Sequence, residues 1–381
     1  MTSRERIARA MHLERPDRVP VMCQPSWGFV LLQNPGLDPI DLWHNHDGAY
    51  AKAFCTVTER FGFDGVMIPG VGLSPLDMGT VKRIDRRNSE GPVVTFRNGD
   101  RCIYCRNELP RYLHAGRPEV DIETFDPEEI PERLAYHPPS NHLRMWLNES
   151  ATGRVAELRQ SRALVGENVS LHGAIYSPED YLIDLVGAPQ ALMALLTHRE
   201  KCREILERFA HAVAAHAEEQ CEAGIDAMDI SAPWAGQGFI SRTLYETLIA
   251  PAQKVLVRLC RKRGVPCHCH TCGAIGDRLE LIVDVGFDGI ECLDPPPLGN
   301  VELEDAVRRI GDRAYVKGNI DPVNVLLRGS EAEITEAVRR CLETGMKAKG
   351  FILSTACTIA PDTPARNVAL LRELAEKHGY Y

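Results

Sequence analysis

What most constrains this chain is a rhythm. Short runs rich in β-branched and apolar residues recur along it: RVPVMC (18–23), GFDGVMIP (62–69), NVSLHGAI (168–175), GIDAMDIS (224–231), VPCHCHT (265–271), GIECLD (289–294), AYVKGNI (314–320) and GFILSTAC (350–357). Amphipathic stretches of helical period separate them; in 199–222, Cys202, Ile205, Leu206, Phe209 and Val213 fall on one face. Strands that alternate with helices in this way predict a (β/α)8 barrel of the TIM type, with its chemistry at the C-terminal ends of the strands. An open doubly wound sheet is the alternative, but no Gly-rich dinucleotide fingerprint follows any of the strands.

Two segments fall outside the rhythm. Thr2 and Glu5 have capping-box spacing and predict a short first helix that ends before Pro16. Residues 80–110 contain two strand-like runs about an Asn-Gly-Asp turn, the pattern of a β-hairpin, and an acidic, Pro-rich stretch follows. The expectation is one barrel domain over 1–381, with 79–150 an insertion of hairpin and loops after the second strand.

Charge removes some function classes. The net charge is −9, with no basic block or stripe, so neither nucleic acid nor an anionic membrane is an expected partner. The N-terminal twenty residues lack the apolar core of a signal peptide, and no run approaches the ~18 apolar residues of a membrane span. The expected location is cytoplasmic. In that reducing setting the 13 cysteines are expected to be free thiols or metal ligands.

The densest chemistry lies in VPCHCHTCG (265–273), with three cysteines and two histidines in nine positions. On a strand, His268, His270 and Cys272 project to one side and Cys267, Cys269 and Thr271 to the other. Gly273 and Ala274 are expected to open the next helix, so His270 and Cys272 stand at the catalytic end and His268 one layer deeper. An imidazole and a thiolate two residues apart suit Zn²⁺, and a catalytic zinc commonly has three protein ligands and one exchangeable position. Cys357 and Glu291, at other strand ends, complete the candidate ligand set. The remaining cysteines, Cys292 among them, read as small buried hydrophobes. CIYC (102–105) has metal-like spacing, but its cysteines would face opposite sides of a hairpin strand.

Asp229, Tyr176 and Asn319, at or near strand ends, are carried forward as candidate catalytic groups. Asn319 and Asp321 equally suit a capped turn. Trp27 and Trp234, after the first and fourth strands, are candidates for stacking on a cofactor.

Taken together, ERPDRVPV, AGIDAMDIS, VPCHCHTCG, VKGNIDP and GFILSTACTIAPDTPARNV resemble the uroporphyrinogen decarboxylase superfamily, and within it the zinc-dependent corrinoid methyltransferases of the methylcobamide:coenzyme M type. The resemblance covers nearly the whole chain. It implies a barrel enzyme with zinc at His270, Cys272 and Cys357, and Glu291 as a displaceable fourth ligand. It also implies methyl transfer between a corrinoid and a thiol or other small acceptor, with the corrinoid free or presented by a corrinoid protein. A homodimer is left open. The decarboxylase branch fits less well, because VPVMCQPSWGF stands where decarboxylases carry an arginine-rich motif for the substrate carboxylates. A demethylase that passes methyl from a small donor to a corrinoid, and a protein that merely holds zinc, are the other readings.

Overall fold

The computed structural model describes residues 1–69, 76–116, 120–134 and 155–381. Strand β1 (Gly65–Met67) is followed by four short strands, β2 (Val81–Asp85), β3 (Val93–Phe96), β4 (Arg101–Ile103) and β5 (Arg111–Leu113). Then come β6 (Ser170–Tyr176), β7 (Ala227–Ser231), β8 (Cys267–Thr271), β9 (Gly289–Cys292), β10 (Tyr315–Ile320) and β11 (Phe351–Thr355). Seven strands form one parallel sheet in the order β1-β6-β7-β8-β9-β10-β11. Each successive pair is joined through helices, as parallel neighbours require.

The eighth barrel position belongs to residues 18–25, although they form isolated bridges and no regular strand. Val21 bridges Leu353 and Pro25 bridges Ile359, both parallel. Met22 N–H donates to Leu353 O at 3.0 Å, and on the other side Asp64 N–H donates to Val21 O at 2.7 Å, which closes the circle between β11 and β1. The expected strand RVPVMC is thus a strand by position and not by ladder. Pro20 lacks the N–H that a continuous ladder needs.

The excursion after β1 is larger than the expected hairpin. Strands β2 to β5 form a four-stranded antiparallel sheet with the predicted hairpin, β3 and β4, at its centre. The outer strands VKRID and RYL carry exposed charges and lack the alternating apolar pattern that marks a half-buried strand. Cys102 packs with Val94 and Tyr104, whereas Cys105 packs with Val93 and Ile103 on the opposite face. Residues 117–119 and 135–150 of the expected insertion lie outside the described residues.

Helix α1 (Ser3–Met11) begins with the predicted Thr2/Glu5 capping box. Its apolar face stops the N-terminal mouth of the barrel, where Ile7, Ala10 and Met11 meet Met22, Met67, Ala227, Tyr315 and Ile352. Buried Asp64 locks this end, accepting from Arg6 at 2.8 Å and from Arg18 at 3.0 Å. The helix Arg199–Glu222 buries all five residues of its predicted face. Among the described residues no helix is long and apolar enough to cross a membrane.

Candidate metal centre

Above the apolar plug the barrel interior turns polar, because the inward positions of β6 to β10 are ionisable. Register sets Asp229 beside His268 and Lys317 beside Glu291. His268 Nε2 lies 2.9 Å from Glu291 Oε2 and 3.4 Å from Asp229 Oδ1, while its Nδ1 meets the Tyr315 hydroxyl at 2.8 Å. A Cβ on Gly289 would come within 2.4 Å of the Tyr315 ring, so that glycine makes room for the hydroxyl to reach His268. Lys317 Nζ approaches Glu291 Oε1 at 2.7 Å. Burial alone would raise the Glu291 carboxyl. The Lys317 ammonium, followed by His268, more than offsets this and holds it well below the ordinary carboxylate range. Burial pushes the neighbouring Asp229 carboxyl up.

One layer higher, at the mouth, four soft donors converge. The donor atoms of His270, Cys272, Cys292 and Cys357 all lie within 4.8 Å of one another. Cys272 Sγ is 3.6 Å from His270 Nε2 and 3.7 Å from Cys357 Sγ. In a tetrahedral zinc site with bonds of about 2.3 Å to sulfur and 2.0–2.1 Å to nitrogen, sulfur pairs stand about 3.7 Å apart and sulfur–nitrogen pairs about 3.5 Å apart. The residues present therefore fit the metal that the resemblance implies. Hydrogen bonds from Cys272 and Cys292 lower the Cys357 thiol well below its usual value. Burial opposes a charged His270, but its contacts with the Cys272 and Cys357 thiols outweigh that and raise its pKa. The cluster thus favours thiolate at Cys357, while burial and the neighbouring Cys272 and Cys357 push the Cys292 thiol up.

The strand geometry explains most of this set. His268 and His270 face inward, and Cys267 and Cys269 pack outward in the main core. Cys357 follows β11 in a turn tied by the Thr355 hydroxyl, which donates to Cys357 O at 2.5 Å. Cys292 departs from the sequence reading. Inward Glu291 should turn Cys292 outward, but its φ is +79° and that of Leu293 is +54°, and its Sγ comes 3.4 Å from His270 Nε2. Period-two alternation carries no sign of such a reversal.

The other candidates separate. Glu291 touches His270 Nδ1 at 3.6 Å but belongs with His268 and Asp229 in the layer below the cysteines. Tyr176 ends β6 beside Ser231, partly buried at the rim, and burial raises its hydroxyl pKa. Asn319 Nδ2 donates to Leu293 O at 3.0 Å and braces the reversal after β9. Asp321 caps the following helical turn, accepting from Val323 and Asn324 N–H at 2.8 and 2.7 Å. Trp27 begins α2 (Trp27–Gln33), its ring 4.7 Å from Trp43 and 4.8 Å from Tyr50 in an aromatic cluster. Trp234, in the loop after β7, packs at 4.7 Å on Phe239, which is 49% exposed. Asp294 was not singled out from sequence. It accepts from Gly273 N–H at 2.5 Å, and burial lifts its carboxyl to about 6.

The comparisons with known proteins agree with this architecture. A structure of a methyltransferase from Methanosarcina mazei superposes with a TM-score of 0.72 over 99% of both chains at 22% identity, a likeness of fold. The methylcobamide:CoM methyltransferase MtbA of Methanosarcina acetivorans is 26% identical over 61% of this chain and 66% of its own length. The chain therefore spans just under two thirds of that relative. The uroporphyrinogen decarboxylase of Cupriavidus necator is 28% identical over 72% of this chain and 73% of its own. The profile of the uroporphyrinogen decarboxylase family, URO-D, matches residues 116–378, and the chain belongs to that family.

Proposed function

We propose that this protein is a zinc-dependent methyltransferase that moves a methyl group between a corrinoid and a thiol or another small acceptor. The observation that carries the reading is the convergence of His270, Cys272 and Cys357 at the C-terminal mouth of the barrel, at separations suited to tetrahedral zinc. When bound, zinc lowers the pKa of a coordinated thiol and so makes the nucleophilic thiolate available at neutral pH. The relatives named above include both methyltransferases and decarboxylases at similar identity, so overall likeness does not choose between the branches. The soft donor set favours the former. The absence of arginine from VPVMCQPSWGF weighs against the latter.

The chain's own side chains divide the remaining work. Buried Glu291, fixed by Lys317 and His268, meets His270 on the ring nitrogen Nδ1 and orients it, the usual task of a carboxylate behind a metal-binding imidazole. Tyr176 and Asp229 supply polar groups at and below the rim, and Asn319 holds the turn after β9. Trp234 with Phe239 offers an aromatic face beside the mouth for a corrinoid presented by a partner protein. Trp27 is committed to packing and is not assigned that role. The test is elemental analysis for zinc, followed by an assay of methyl transfer from methylcobalamin to thiols read by the corrinoid's colour change. A zinc-free protein, or one inert with every thiol and methyl donor tried in both directions, would refute the reading.

A further inference from the structure

We infer that Arg278 is a positioning residue for the aromatic face beside the mouth: its guanidinium holds Trp234 and Phe239 together and fastens the loop that carries them to the segment of His270 and Cys272. The inference rests on the proposed corrinoid-facing role of that aromatic pair and names the group that sets its shape.

The first reason is where the guanidinium reaches. Arg278 directly precedes the helix Leu279–Val285 and is fully buried, with Nη1 donating to Ala235 O at 2.7 Å and Nη2 to Ile240 O at 3.1 Å. Those two carbonyls belong to the residues that directly follow Trp234 and Phe239. One rigid, planar fork therefore sets the spacing of the two points from which the rings extend, and the rings meet with centroids 4.7 Å apart. The fork is itself fixed. Its Nε and Nη2 donate to the Asp277 carboxylate at 2.8 and 3.1 Å, and its central carbon lies 5.5 Å from the centre of the Tyr245 ring. A lysine here would bring one point charge and could not span both carbonyls and the carboxylate.

The second reason is what the loop after β7 rests on. Ala232 N–H donates to His270 O and Gln237 N–H donates to Ala274 O, both at 2.7 Å. Between those two anchors a Cβ at Gly236 would come within 2.8 Å of Cys272 O, so glycine lets the loop lie against the backbone of that residue. The supports of the loop thus come from one segment, 270–278, which also carries two of the proposed ligands. The aromatic face is built on that segment and keeps a fixed distance from it, so that it need not be ordered anew when a large planar partner arrives.

The experiment is fluorine NMR of the full chain, zinc-loaded and labelled with fluorotryptophan, the Trp234 resonance being assigned by Trp234→Phe. Arg278→Lys and, independently, Asp277→Ala should each shift or broaden that resonance while those of Trp27 and Trp43 and the zinc content hold. In methyl transfer from methylcobalamin to a thiol, Arg278→Lys should raise the KM for methylcobalamin by about tenfold and leave the KM for the thiol in place. Phe239→Ala should raise the same KM, and the double variant should be no worse than the poorer single one, since both changes undo one face. A Trp234 resonance unmoved in both Arg278→Lys and Asp277→Ala, an unchanged KM for methylcobalamin, or effects that multiply in the double variant would overturn the assignment and leave the zinc reading standing. Zinc binding with no transfer in either direction would overturn the proposed function, while the Trp234 resonance would still decide whether Arg278 holds the aromatic pair.

Discussion

The Sγ atoms of Cys272 and Cys357 lie 3.7 Å apart although 85 residues separate them in sequence. One follows β8 and the other follows β11, and curling of the sheet brings both strand ends over the same mouth. A metal ion that joins two such distant points depends on each ligand. Cys357→Ala and His270→Ala should each lower zinc affinity by more than about 100-fold, beyond the loss usual for an outer hydrogen-bond partner. Elemental analysis after gel filtration measures it; full zinc retention in both variants would show that these are not the ligands.

Lys317 and Glu291 form a pair 2.7 Å apart with essentially no exposed surface. Lys317→Met should destabilise the fold by about 3–5 kcal/mol, since it strands a buried carboxylate. Urea unfolding reads this directly. An unchanged midpoint and slope would mean that the carboxylate is compensated by its histidine neighbours alone.

At the opposite end of the barrel, Asp64 should dominate the acid limb of stability. Burial raises its carboxyl, but hydrogen bonding and charge from Arg18 outweigh that and lower it overall. A folded-state pKa below the unfolded value of about 3.9 means that its contribution is fully present above that pH and is lost as pH falls through the folded value. Asp64→Asn should therefore cost about 3–5 kcal/mol at pH 7, and the gap from wild type should narrow progressively below about pH 4. A gap that stays constant down to pH 2 would contradict the linkage.

Uroporphyrinogen should not be a substrate. The loop CQPSWGF after the first barrel position contains no guanidinium to pair bidentately with its carboxylates. Product analysis after incubation under reducing conditions tests this, and measurable decarboxylation would transfer the assignment to the decarboxylase branch.

The parts of this molecule that the sequence made legible are those governed by period. Strands β6 to β11 stand out because β-branched runs recur between amphipathic helices, and the facing of His268 and His270 follows from alternation along β8. The position of Cys292 was hidden because left-handed backbone at two non-glycine residues has no local signature; its one trace is Gly318 on the neighbouring strand, meaningful only once the register is known. Glu291 was placed at the right strand end but with its partner missing, since nothing in GIECLD announces that Lys317 will face it. The packing of Trp27 was hidden for a similar reason: its neighbours Trp43 and Tyr50 come from separate elements.

Zinc at His270, Cys272 and Cys357 is expected to serve reaction and not folding. A barrel with this much apolar core holds itself together without metal, unlike a zinc finger. The direct measurement is mild chelation followed on one sample by far-UV circular dichroism, thermal unfolding and methyl transfer from methylcobalamin to a thiol. Transfer should be abolished while the spectrum and the cooperative transition persist, and added zinc should restore turnover. Unfolding on chelation, or transfer that continues without metal, would contradict it.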